Sequence, residues 1–258
     1  MSVRICVLGS GSGGNATFVA TERTRLLVDV GFGCREIKHR LRKIGEDPER
    51  LDAVLITHEH NDHVAGLPAL AQKFRKPIFL TWLTESRIEW GEACPRVERF
   101  HAGQRIPIGD IEVDSFTLPH DAVDPVAFCF RAEGIKIGVL TDLGYMPESV
   151  KHQIRGCHLL VLESNHDLDM LKVGPYPWFV KQRVMSRVGH LSNNAVSQFL
   201  SDDYDRSSQV LVLAHLSQQN NHPEIARASA TRALLAARAD HTRLVLAEQR
   251  HPTEVFQF

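Results

Sequence analysis

Four metal-binding side chains crowd into six residues: His58, His60, Asp62 and His63. They read His-x-His-x-Asp-His, directly after the apolar run Leu51 to Ile56. In an extended segment, residues two apart project to the same side. His58 and His60 can therefore converge on one ion. Asp62 and His63 follow as the chain turns into a helix expected from near Val64, and they face a neighbouring position. Imidazole with carboxylate suits zinc, iron or manganese rather than calcium. A lone histidine beside a turn is ordinarily a surface residue or a satisfied core residue. Four such groups in one strand-to-helix loop predict a metal centre.

One loop seldom supplies a whole two-metal site. Further ligands are expected where other apolar runs give way to polar sequence. His120 follows residues 113–119, Asp142 follows 137–141 and His215 follows 210–214. The expected division gives one ion His58, His60 and His120, and the second Asp62, His63 and His215. Asp142 would bridge the pair. The plainer alternative for His120, Asp142 and His215 is a hydrogen-bonded strand end. Asp29 occupies a similar position after residues 26–28. It is expected behind the ligands, orienting a histidine, or else as a turn cap. Two divalent ions, zinc or manganese, are the cofactors implied.

The elements that must position these groups follow from apolar patterning. Strands are expected over Val3–Leu8, Thr17–Ala20, Arg25–Val30, Leu51–Ile56, Pro77–Thr81, Ile111–Leu118, Ala127–Arg131, Ile135–Leu140, Leu159–Leu162, Val210–Ala214 and Leu244–Ala247. Helices are expected over Cys34–Ile44, Val64–Phe74, Phe179–Val188, Asn194–Leu200 and Glu224–Ala239. Strand–helix units recur in both halves, which predicts an α+β sheet sandwich covered by helices. No linker stands out, so residues 1–258 are expected to form one domain. Gly174-Pro175-Tyr176-Pro177 reads as a lid or surface loop.

Gly9, Gly11 and Gly14 imitate a dinucleotide fingerprint, but residues 16–20 look extended where that fingerprint needs a helix. A tight turn near the active edge is expected instead, with Asn15 reaching the site. Lys and Arg total 30 against 31 Asp and Glu, a net charge of −1, so no global positive field advertises a polyanion. A local basic rim can still suffice. Residues Arg35 to Lys43 give one helix a basic surface that suits either phosphates or water. Trp82, Trp90 and Trp178 are expected to pack between layers. The five cysteines form no Cys-x-x-Cys pair, so neither a zinc knuckle nor a disulfide framework is expected. No apolar stretch reaches membrane-spanning length. The first residues read as a strand rather than an export signal. A cytoplasmic enzyme without a membrane partner is expected.

At Asp29, the His58-x-His60-x-Asp62-His63 block, His120, Asp142 and His215, the chain resembles the metallo-beta-lactamase fold superfamily. The resemblance spans nearly the whole chain. It implies a four-layer αββα sandwich with metals at one edge. A narrower resemblance lies in residues 9–15, 120–126, 163–167, 189–193 and 215–221. These segments look like the YycJ/WalJ family, bacterial cytoplasmic proteins related to RNase Z and RNase J. That family implies a 5′-to-3′ exonuclease acting on duplex DNA with a 5′ end. The chain lacks the large inserted domain of RNase J and the long Gly-rich arm of many RNase Z enzymes.

On that reading, a hydroxide bridging the two ions attacks the phosphodiester and leaves a 5′ phosphate. Asp62 and His190 are the catalytic candidates. His190 would bind phosphate or protonate the leaving oxygen, its alternative being a loop anchor. His166, Ser192, Asn193 and His222 are candidates for supporting or substrate-contacting roles. The competing functions are hydrolysis of small or cyclic phosphodiesters or of thioesters. A noncatalytic nucleic-acid-binding protein is the least supported.

Overall fold

Segments such as Leu159–Glu163 (LLVLE) and Val210–Ala214 (VLVLA) are buried along their whole length, so both faces of their sheet must be covered. The computed structural model describes residues 2–258 and meets that demand with two seven-stranded sheets. The first half of the chain runs β1 (Arg4–Gly9), β2 (Ala16–Ala20), β3 (Arg25–Val28), α1 (Cys34–Lys43), β4 (Ala53–Leu55), α2 (Asn61–Val64), α3 (Leu67–Phe74), β5 (Pro77–Thr81), α4 (Trp82–Glu85) and β6 (Arg96–Phe100). Next come β7 (Arg105–Ile108), β8 (Ile111–Thr117), β9 (Val126–Ala132), β10 (Ile135–Leu140), α5 (Glu148–Ile154) and β11 (Leu159–Glu163). The chain closes with α6 (Leu168–Val173), α7 (Trp178–Val184), α8 (Asn193–Asp202), β12 (Val210–Ala214), α9 (Pro223–Ala236), β13 (Arg243–Leu246) and β14 (Phe256–Gln257).

The sheet orders are β14-β1-β2-β3-β4-β5-β6 and β13-β12-β11-β10-β9-β8-β7. Each sheet is antiparallel on one side and parallel on the other, switching at β3 and at β10. Three apolar layers hold the sandwich. Ile5, Val28, Phe128, Phe130 and Val212 belong to the layer packed between the two sheets. Leu27, Ile37, Leu41, Leu70 and Phe74 join the first sheet to α1 and α3. Leu160, Val196, Leu211 and Ala230 join the second sheet to α8 and α9. This is the expected αββα order. Each large side chain buried in these layers contributes roughly 1.5–3 kcal/mol.

Several details differ from expectation. The helix expected over Val64–Phe74 is broken into α2 and α3. Gly66 N donates to Val30 O, and a Cβ on Gly66 would collide with Phe32 O, so the backbones touch at the break. Pro68 then sits in the first turn of α3, where its missing N–H costs nothing. Trp82 and Trp178 are exposed rather than packed between layers, while Trp90 is half-buried against the first-sheet core. Gly174–Pro177 is a surface connection between α6 and α7. The edge strand β6 and helices α5 and α6 bury too few side chains to show a clear period. No helix among the described residues is long and apolar enough to cross a membrane.

Candidate metal centre

The parallel strands of each sheet end at one edge, and the next residues turn into the site. Asp29 follows β3, and Thr57 and His58 follow β4. Asp142 follows β10, Glu163 ends β11 and His215 follows β12. Val126 N donates to Thr57 O at 3.0 Å and ties the two sheets together there. Asp29, Asp142 and His215 all have left-handed backbone, with φ of 61°, 66° and 55°. Aspartate and histidine tolerate that region better than most residues. It turns each side chain sharply off its strand.

Overlapping groups of candidate ligand atoms result, each with its atoms within 4.8 Å of one another. His58, His60 and His120 form one group, and Asp62, His63 and His215 another. Asp142 joins His58 and His63, one residue from each. The structure thus brings together the same residues that the sequence pattern divides between two ions. His60 Nδ1 lies 3.2 Å from His120 Nε2. Asp62 Oδ2 lies 3.3 Å from His215 Nε2 and 3.6 Å from His63 Nε2. His63 Nε2 and Asp142 Oδ2 are 3.1 Å apart. Ligands 2.0–2.1 Å from a tetrahedral ion stand about 3.3 Å from each other. His58 Nε2 and Asp142 Oδ2 are also buried without a hydrogen-bond partner. Such orphaned atoms are costly unless something else satisfies them. The donor set fits two divalent ions.

The supporting bonds aim the ligands inward. His63 Nδ1 lies 2.8 Å from Asp29 Oδ2, and Asp29 also accepts from Thr57 N. His58 Nδ1 meets Thr57 Oγ1 at 3.0 Å. His120 Nδ1 faces Gly189 O at 3.0 Å. His215 Nδ1 faces Glu163 Oε1 at 2.7 Å. In each case one ring nitrogen is occupied and the other is left for the centre, the usual way of fixing a ligand histidine. Asn15 Nδ2 reaches Asp62 Oδ2 at 3.2 Å. Ser10 Oγ donates to Asn15 Oδ1 and accepts from His215 N, so the glycine-rich turn holds both sides of the site. Gly14 has φ 144°, and a Cβ there would press on Gly31 O and the Phe32 ring.

Glu163 is the site residue that the sequence reading leaves without a role. It gathers with Asp142, His190 and His215 in a further group of close polar atoms. Its signal is its place at the end of an apolar run, the same place that marks Asp142. Burial opposes its charge, but the imidazoles of His190 and His215 pull its carboxyl down to about 2. Burial likewise opposes charge on His190, yet the Glu163 carboxylate holds that imidazole above its ordinary range. His58, buried against other imidazoles, is pushed well below it.

His190 lines a cleft of about 340 Å³ with Ser12, His60, Asp62, Asp142 and His215, and α7 supplies Val180, Arg183 and Val184 along the wall. Arg183 is paired with Asp121. Other candidates lie further back. His166 is buried, with neither ring nitrogen hydrogen-bonded. Ser192 caps α8 by accepting from Ala195 N. Asn193 joins a buried network with Ser164 and Asn221. His222 is not brought to the site: it is exposed and caps α9 by accepting from Glu224 N.

A helix-covered double sheet with this constellation at its edge is the architecture of metallo-beta-lactamase hydrolases. The beta-lactamase superfamily domain matches residues 24–216. Exodeoxyribonuclease YycJ of Bacillus anthracis is 35% identical over 237 residues, covering 91% of this chain and 90% of the relative. Exodeoxyribonuclease WalJ of Streptococcus pneumoniae serotype 2 is 35% identical over 225 residues, covering 85% and 84%. The metallo-beta-lactamase fold protein YhfI of Bacillus subtilis superposes with a TM-score of 0.76 over 100% of both chains at 17% identity, a likeness of fold. The chain therefore belongs to the metallo-beta-lactamase superfamily and, within it, to the YycJ/WalJ family.

Proposed function

We propose that the protein is a 5′-to-3′ exonuclease on duplex DNA, with two divalent ions, zinc or manganese, held by His58, His60, His120, Asp62, His63 and His215 and bridged by Asp142. The observation that carries this is the pair of ligand groups joined through Asp142. Near full-length similarity to two exodeoxyribonucleases supports the choice of substrate. When bound, the ions would lower the pKa of a water between them and neutralise charge on the phosphoryl group.

The chain's own groups do the rest. Asp29, Glu163 and Thr57 fix the ring orientations of the histidines. Asn15 holds Asp62. His190 has Nδ1 committed to Glu163 at 2.9 Å, which leaves Nε2 for the cleft. The Glu163 carboxylate favours its protonated form, as donor to the leaving 3′ oxygen. The scissile P–O3′ bond breaks, a water oxygen joins phosphorus, the shortened strand keeps that phosphorus as its new 5′ phosphate, and the released nucleotide leaves with a 3′ hydroxyl. Cytoplasmic residence fits five free cysteines, among them the buried, hydrogen-bonded and unlinked Cys129 and Cys157.

The test uses matched 5′-phosphorylated DNA and RNA duplexes, labelled at either end, after controlled zinc or manganese loading. Metal-dependent shortening of DNA from its 5′ end is expected. An Asp142→Ala protein and a chelated sample control for contaminating nucleases. No cleavage of either polymer by folded protein with two ions would turn the assignment to small phosphodiesters or thioesters.

A further inference from the structure

Helices α1 and α3 lie side by side outside the first sheet and border an open cleft of about 720 Å³. Arg35, Lys38, His39 and Arg42 of α1 and Lys73 of α3 line it, and no carboxylate does. Arg35, Lys38 and Arg42 follow helical spacing and share one face. Arg40, on the inward side of the same helix, is satisfied: Nε meets Glu36 at 2.7 Å and Nη1 donates to Leu8 O at 2.8 Å. The cleft cations have no carboxylate partner, and Lys38 Nζ stands 5.8 Å from the centroid of the Phe74 ring. Among the described residues, none of Arg35, Lys38, Arg42 or Lys73 forms an ion pair.

Lys38 of α1 and Lys73 of α3 line the same cleft, and the nearness of Lys73 holds Lys38 below the ordinary lysine range. A basic face that is merely solvated spreads its like charges apart. Ammonium groups drawn together over a cleft form an arrangement that an anion relieves.

The cleft is also tied to the metal loop. A Cβ on Gly31 would collide with Asp62 O, and the corresponding contact of Gly66 is with Phe32 O. The first approach seats the residues before α1 on the loop that carries His58 to His63, and the second packs the starts of α1 and α3 against each other. From Arg35 to Arg42 the axial rise is roughly 10 Å. At 3.4 Å per phosphate along one strand, that length matches about three nucleotides.

We propose that the α1–α3 cleft binds the phosphate backbone of the duplex beyond the end held at the metal centre. This rests on the nuclease reading and adds a second contact region to it. The cleft supplies affinity through charge and carries no base specificity.

The test compares the metal-loaded wild type with a protein carrying Arg35→Ala, Lys38→Ala, Arg42→Ala and Lys73→Ala. Binding of a duplex with cleavage-resistant phosphorothioate 5′ ends is measured across salt concentrations. Each lost phosphate contact makes the negative slope of log K against log salt shallower by about 0.9. The quadruple variant is expected to lose at least two such contacts and to bind more than tenfold more weakly at 0.1 M salt. Replacing Lys38 and Lys73 by Arg should keep the wild-type slope. A quadruple variant with unchanged affinity and slope overturns the proposal, and so does a wild type that binds no duplex. A wild type that binds through the cleft yet leaves an unprotected duplex intact strikes the exonuclease reading alone.

Discussion

His190 Nδ1 lies 2.9 Å from the buried Glu163 carboxylate, on the side of the ring away from its free Nε2. The same Glu163 oxygen lies 2.7 Å from His215 Nδ1. One anion thus orients the proposed proton donor and a proposed metal ligand together. Glu163→Gln keeps the shape and removes the charge. Loss of such a supporting group typically costs 10–100-fold in activity or metal affinity, and that range is expected for kcat. The pH profile gives the sharper readout. A required acid loses its proton as pH rises, so the rate falls through the pKa of His190. That pKa is raised in the native protein. Without the carboxylate, the imidazolium loses its strongest stabilising partner and the falling limb moves to lower pH. An unmoved limb would mean that Glu163 does not set the protonation of His190.

His190 itself should be dispensable for metal and needed for turnover. His190→Ala is expected to keep both ions and to lose roughly 10²–10⁴-fold in kcat, the usual worth of a positioned proton donor. Elemental analysis and single-turnover cleavage on the same preparation separate the two effects. Near-normal cleavage removes His190 from the catalytic list.

Asp142 faces both ligand groups. Its Oδ2 is buried without a hydrogen bond, and His63 Nε2 lies 3.1 Å away. Asp142→Ala is therefore expected to strip at least one ion from the folded protein. Chelation of the wild type should lower the melting temperature, and returning zinc or manganese should restore it, because a ligand bound only by the native state stabilises that state. Unchanged two-ion stoichiometry in the variant sinks the bridging assignment.

Much of this site is legible in sequence because its candidate ligands sit where apolar runs stop. His120, Asp142 and His215 stand out by that rule, and so does Asp29, which holds His63. The rule also marks Glu163, but a residue that binds two imidazoles through space has no local pattern to give it a role. His222 shows the opposite failure. Its nearness to His215 in sequence does not fix its direction, and the turn after Asn221 carries it to a helix cap. The sheets are legible through apolar runs. The break at Gly66 is not, because it comes from contact with Phe32, more than thirty residues earlier in the chain. Trp82 and Trp178 mislead for a related reason: composition assigns large apolar side chains to the interior, while α4 and α7 leave them outside.

His166 offers a test of stability rather than turnover. It is 1% exposed, and neither ring nitrogen has a hydrogen-bond partner. Burial pushes its pKa down to about 4, against an unfolded value of about 6.5. Between these values the unfolded chain holds a proton that the native state refuses. His166 therefore leaves stability untouched above the unfolded pKa, and it lowers stability as pH falls from there toward the folded pKa. The full difference corresponds to roughly 3 kcal/mol. His166→Gln cannot titrate, so its denaturation curve should lose less stability than the wild type across the same interval. Urea denaturation of both metal-loaded proteins at several pH values between 7 and 4 measures that difference. Parallel pH dependences would show that His166 takes up its proton equally well in the native fold.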